Sequence, residues 1–269
     1  MMWALAVICV GLILAFFVIP RLRLQRVLSR AFPSHHAKIL RRYVPQYRYM
    51  PVDLQLQLKQ RVKQFLFEKT FVGCNGLEIT DEIRVCIAGR ACLLLLNRDA
   101  QVFPKLTHIL VYPDVFHAPR QQVQMGGVVT EVAHSLSGES WSDGRVILAW
   151  QEVMRSSVDD GRAHDVVIHE FAHQLDSEDG STDGAPSLPS RRAYRDWAKV
   201  FSAEYDRLCQ ALEQGYQTLI DPYGASNPAE FFAVCSESYF YQADLLAHYH
   251  PELFQQLYNY YCVDPRDWK

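Results

Sequence analysis

No aspartate or glutamate precedes Asp53, and no charged residue of either sign precedes Arg21. The first twenty residues, MMWALAVICVGLILAFFVIP, are therefore an uncharged and almost wholly apolar run. They lack the Lys or Arg that opens a cleaved signal peptide, and no small-x-small cleavage site follows them. Disulfide chemistry has little footing either. Seven cysteines are an odd number, none lies in a Cys-x-x-Cys pair, and most stand in apolar contexts, which reads as buried thiols in a reducing compartment. Internal repeats and low-complexity tracts are missing, so solenoids and disordered arrays are excluded.

The apolar run is at the lower end of the length needed to cross a bilayer. Its C-terminal flank is basic: Arg21, Arg23, Arg26, Arg30, Lys38, Arg41, Arg42 and Arg48 all fall within residues 20–50. By the positive-inside rule this flank stays cytoplasmic. The expectation is a single-pass membrane anchor over residues 1–20, a basic juxtamembrane linker over 21–50, and one domain over 51–269 facing the cytoplasm. The linker is suited either to anionic headgroups or to plain solvation. The net charge of −3 places the acidic excess in the domain, which offers no electrostatic footprint for nucleic acid.

Within the domain, residues 52–69 have helical apolar spacing. Short apolar segments at 90–97, 107–112, 126–133 and 145–150 suggest a small sheet, with the turn-rich 137–144 joining two strands. Strand 145–150 is either internal or an edge on which an extended substrate pairs. Helical patterns follow at about 163–176, 191–214, 227–241 and 249–260. A few strands and then mostly helices predict an α+β fold, without the alternation that signals a parallel sheet.

The most informative residues are HEFAHQLD, His169 to Asp176. His-Glu-x-x-His on a helix sets His169 and His173 one turn apart on one face, where two neutral imidazoles supply half of a tetrahedral zinc site. Glu170 is then placed to take a proton from the attacking water. An amphipathic helix that merely carries two histidines is the plainer alternative, but polar groups inside so apolar a helix need partners. Asp176, on a neighbouring helical position, is either a solvent-facing terminus or the acceptor of a ligand's ring N–H.

A third protein ligand must come from elsewhere. Asp176 and Asp179 stand where one familiar short spacing needs Gly and His, and Tyr194 and Asp196 stand where another needs Glu. The remaining candidates lie in SNPAEFFAVCSE. Glu230 is first among them, because a carboxylate in that nearly all-apolar helix is desolvated unless a cation or donor meets it. A capping box also accounts for Glu230, with Asn227 as N-cap and Pro228 at the first helical position. Glu237, seven residues on and on the same face, is the alternative ligand or a supporting group.

HEFAHQLD, the DG-rich loop after it, DPYGASNPAEFFAVCSE, ILVYP and SGESWSDGRVILAW together resemble the zinc peptidases related to Mlc titration factor A, over roughly residues 55–265. That family's catalytic domain is similar to anthrax lethal factor, a gluzincin of zincin-like fold with a distant third ligand. The resemblance implies one Zn2+ bound by His169, His173 and Glu230, with Glu170 as general base and Tyr223 assisting the tetrahedral intermediate. It implies hydrolysis of a peptide or protein substrate, or alternatively the sequestering of a transcriptional repressor with catalysis secondary. The better-known members are soluble, whereas this chain opens on an apparent anchor.

Overall fold

The computed structural model describes residues 18–114, 116–123, 129–136, 138–141, 144–155 and 163–268. Most of the expected anchor, residues 1–17, lies outside the described residues. Among the described residues no helix is long and apolar enough to cross a membrane.

The chain enters through α1 (Ile19–Ser29) and α2 (Ser34–Tyr43). The stretch expected as a linker is thus helical, and its second half belongs to the body: Leu40, Tyr43, Val44, Tyr47 and Met50 are buried in the core. The basic residues obscured this, because they occupy the outer face of an amphipathic helix. Helix α3 (Val52–Glu68) matches its predicted bounds to within a residue and buries Leu54, Leu58, Val62 and Phe65.

Strand β1 (Thr70–Gly73) leads into α4 (Asp81–Ala91), which Thr80 caps by accepting the Ile83 N–H. Ala91 passes directly into a 3-10 turn, Cys92–Leu95. This corrects the strand expected at 90–97: the segment is the end of a helix buried on every side. A continuous apolar run carries no period, so sequence cannot distinguish such a helix from a buried strand.

Next come β2 (His108–Tyr112), β3 (Phe116–Val123), β4 (Val129–Leu136), β5 (Gly138–Trp141) and β6 (Arg145–Ala149). The main sheet has the order β1-β2-β6-β5. Its β1–β2 and β2–β6 pairs are parallel, and β5 runs antiparallel to β6. The sheet is therefore largely parallel, against expectation, because α4 forms the β1-to-β2 crossover that the sequence pattern disguised. Strands β3 and β4 form a separate antiparallel pair. Residues 138–141, expected within a turn-rich connection, are also a strand: β5 is an edge of the main sheet, while β6, the strand considered for substrate pairing, is internal.

After β6 come α5 (Trp150–Arg155), α6 (Val166–Asp176), α7 (Arg191–Glu213), α8 (Pro228–Tyr241), α9 (Ala243–Tyr249) and α10 (Pro251–Tyr261). Helices α6 and α8 pack against each other, and α6 also lies against β5. The α+β reading holds, with helices both before and after most of the sheet along the chain.

Candidate metal centre

Helix α6 starts where it does because Asp165 caps it: its carboxylate accepts the Val167 and Ile168 N–H groups at 2.9 and 3.2 Å. That carboxylate is wholly buried, and its second oxygen, Oδ2, is held by Arg90, equally buried, at 3.2 Å and also accepts from the Tyr241 hydroxyl. Arg90 also donates to the carbonyls of Tyr43 and Val153. Burial opposes the Arg90 charge, but Asp165 outweighs it and the guanidinium pKa rises. On the face away from the histidines, Phe171 meets Phe103 edge-on at 4.7 Å and Phe65 at 5.7 Å. The helix is thereby fixed in rotation about its axis.

Its far end is clasped to the neighbouring helices. Asp176 accepts the Gly184 N–H at 2.9 and 3.1 Å, and the Gly184 carbonyl accepts the Trp197 indole N–H at 2.9 Å. Gly184 has φ +81°, and a Cβ there would stand 2.3 Å from the Pro228 carbonyl oxygen. Only glycine lets the loop after α6 lie so close to the start of α8. Asp176 thus holds the loop and not a histidine ring.

Helix α8 begins at Pro228, with the Asn227 side chain accepting the Glu230 N–H at 3.0 Å. The Glu230 backbone follows the capping pattern read from sequence, while its carboxylate faces the two histidines. Its Oε2 lies 2.9 Å from His169 Nε2 and 3.3 Å from His173 Nε2, and the two Nε2 atoms are 3.3 Å apart. Ligands at zinc distances of about 2.0–2.1 Å stand about 3.3 Å apart at the corners of a tetrahedron. The three donor atoms therefore have the spacing that one zinc-sized ion needs. Burial raises the Glu230 pKa, but the hydrogen bonds to His169 and His173 outweigh it and hold the carboxyl at about 2.

Glu237, the rival candidate, takes the other side of the same imidazole. Its Oε1 lies 2.8 Å from His169 Nδ1 and its Oε2 accepts the Asp165 N–H at 2.5 Å. It is a supporting carboxylate that fixes the ring so that Nε2 points at Glu230. Burial of His169 disfavours its charged form, yet the hydrogen bonds to Glu230 and Glu237 raise its pKa well above the ordinary value. His173 has no matching support, since its buried Nδ1 lacks a hydrogen-bond partner among the described atoms.

Glu170 is buried beside His169, close enough that its charge acts on both His169 and Tyr223. The Tyr223 ring lies 5.9 Å from that of His169, on the short 3-10 turn Pro222–Ser226 that Asp221 caps. Tyr223 is 55% exposed, and partial desolvation and then the charges of Glu230 and Glu170 raise its pKa, so the phenol keeps its proton and remains a donor. Every site residue expected from the sequence is in this one cluster. Sequence reasoning missed Arg90, whose signal was a lone cation at the head of the apolar run ACLLLL, and Tyr241, which gave none.

The sequence pattern of the glucose-regulated metallopeptidase M90 family matches residues 19–262 of this chain. The chain belongs to that family. An uncharacterized protein of Synechocystis, slr2042, is 40% identical over 244 residues, covering 90% of this chain and 89% of the relative. Mlc titration factor A of Klebsiella pneumoniae is 30% identical over 225 residues, 82% of this chain and 84% of its own length. The protein of the same name from Escherichia coli is 32% identical over 215 residues, 78% and 80% of the two chains. M90 membership makes the chain a metallopeptidase.

Proposed function

We propose that this metallopeptidase binds one Zn2+ through His169, His173 and Glu230 and hydrolyses peptide bonds by the gluzincin arrangement. One observation carries the reading: three donor atoms from two helices converge at tetrahedral spacing with a buried glutamate beside them. When bound, zinc supplies Lewis acidity for the scissile carbonyl and for water. The chain's own residues do the rest. Glu170 takes the proton from the attacking water and returns it to the leaving amine. Tyr223 donates its hydroxyl hydrogen to the oxyanion that develops at the carbonyl. Glu237 and Asp165 keep the His169 ring in one orientation. The edge of β5, beside α6, offers main-chain groups on which an extended peptide adds as a further strand. The substrate class is therefore an unfolded segment or flexible tail of a protein. The test is Glu170→Gln, which should keep its zinc and lose peptide hydrolysis by 10²–10⁴-fold; undiminished turnover would refute the mechanism.

The similarity to Mlc titration factor A favours a second reading, in which the protein also binds a transcriptional regulator. Glu170→Gln protein that captures a purified regulator as well as wild type does would separate that role from catalysis. The charge pattern of residues 1–50 further supports a membrane-anchored body facing the cytoplasm. In fractionated cells, a chain shortened by residues 1–20 should then move from the membrane to the soluble fraction, and an unchanged distribution would remove the anchor.

A further inference from the structure

We propose that His35, His36 and Asp81 form a second site for a first-row divalent cation, clipping α2 to α4. His35 and His36 are consecutive residues in the first turn of α2, and consecutive helical positions ordinarily diverge by about 100°. Both Nε2 atoms nevertheless reach the same oxygen of Asp81, at 3.1 and 3.3 Å. The rings stand 4.3 Å apart, and the three donor atoms all lie within 4.8 Å of one another. Two imidazole nitrogens and one carboxylate oxygen suit zinc, cobalt, nickel or ferrous iron, whereas magnesium and calcium favour all-oxygen sites. Sequence gave no hint of this cluster, because its parts are 46 residues apart.

Its place in the fold gives the ion a purpose. Near the other end of α2, Leu40 and Val44 press on Gly89 of α4, where a Cβ would meet them at 2.6 and 2.8 Å. The next residue, Arg90, holds the cap of the metal helix. A cation at His35, His36 and Asp81 pins the opposite end of the same helix pair and fixes the basic N-terminal segment to the peptidase body. Two helix N-termini and Arg84 nearby are positive and weaken cation binding. The site is therefore exchangeable and weaker than the buried one.

The test is titration of metal-stripped, full-length protein with Zn2+, with bound metal counted per chain. Wild type should take up two equivalents, the second more weakly. His35→Ala and Asp81→Asn should each take up one and keep full hydrolytic activity. Glu230→Ala should retain the weak equivalent, so failure of the catalytic-site reading leaves this outcome intact. Excess Zn2+ should also raise the thermal midpoint of Glu230→Ala but not of a Glu230→Ala/His35→Ala double variant. No ion taken up by Glu230→Ala, or two equivalents kept by His35→Ala, would mean that the three side chains form an ion pair only.

Discussion

Among the described residues, two clusters of two histidines and a carboxylate occur, and they differ less in their donors than in what surrounds them. In the buried one, His169 is braced by Glu237, Glu237 by the Asp165 N–H, and Asp165 by Arg90 and Tyr241. The clasp at Gly184 then sets the separation of the two helices that carry the three donors. In the other cluster, His35 is 61% and Asp81 52% exposed at the side chain, so solvent competes for two of the three donors, while His36 is 15% exposed. Convergence of donors makes a metal site conceivable in both. A braced shell, a buried base and a phenol make only one of them suited to catalysis.

The comparison can be broken at several points. The largest effect belongs to Glu170→Gln, because the exposed cluster has no counterpart to that base: hydrolysis should fall by 10²–10⁴-fold with zinc retained. Arg90→Met comes next. Removing the partner of the buried Asp165 charge should cost about 3–5 kcal/mol in chemical denaturation, whereas Asp81→Asn should cost less than about 1 kcal/mol. Equal losses would show that the Arg90 network does not distinguish the two regions.

Asp176 gives a smaller effect with a definite sign. Burial lifts its carboxyl to about 6 from an ordinary 3.8, against the opposing Gly184 hydrogen bonds. The folded protein then binds a proton that the unfolded chain has released, so stability falls as pH rises from about 4 to about 6. Asp176→Asn removes that slope. In metal-stripped protein, its stability relative to wild type should improve across the interval by on the order of 2 kcal/mol. Parallel curves for the two proteins would contradict the assignment. The smallest effect is that of His35→Ala, which should change hydrolysis by less than about twofold, since an exposed surface contact contributes little.

Much of the candidate metal centre was legible because its signals are local. His169, Glu170 and His173 share one helical turn, Asn227 and Pro228 announce the start of α8, and a carboxylate among Phe231, Phe232 and Val234 demands a partner. Sequence spacing left Glu230 and Glu237 open as ligands, and the two carboxylates prove to face opposite nitrogens of one ring. The rest depended on tertiary placement. The crossover α4 was hidden because burial on all sides erases helical periodicity, and with it went the parallel sheet. The edge strand β5 lay inside a Gly- and Ser-rich stretch that reads as a turn. His35 and His36 meet Asp81 only because α2 packs against α4, in a segment whose basic residues made it look like a linker.

The most direct measurement is zinc content and affinity in a His35→Ala background, where the buried cluster alone remains, with Glu230→Ala compared with Glu237→Gln. Glu230→Ala should lose the tightly bound ion outright. Glu237→Gln should keep it at 10–100-fold weaker affinity, as loss of a supporting carboxylate does. Equal retention by both variants, or loss from Glu237→Gln alone, would contradict the placement of Glu230 as the third ligand.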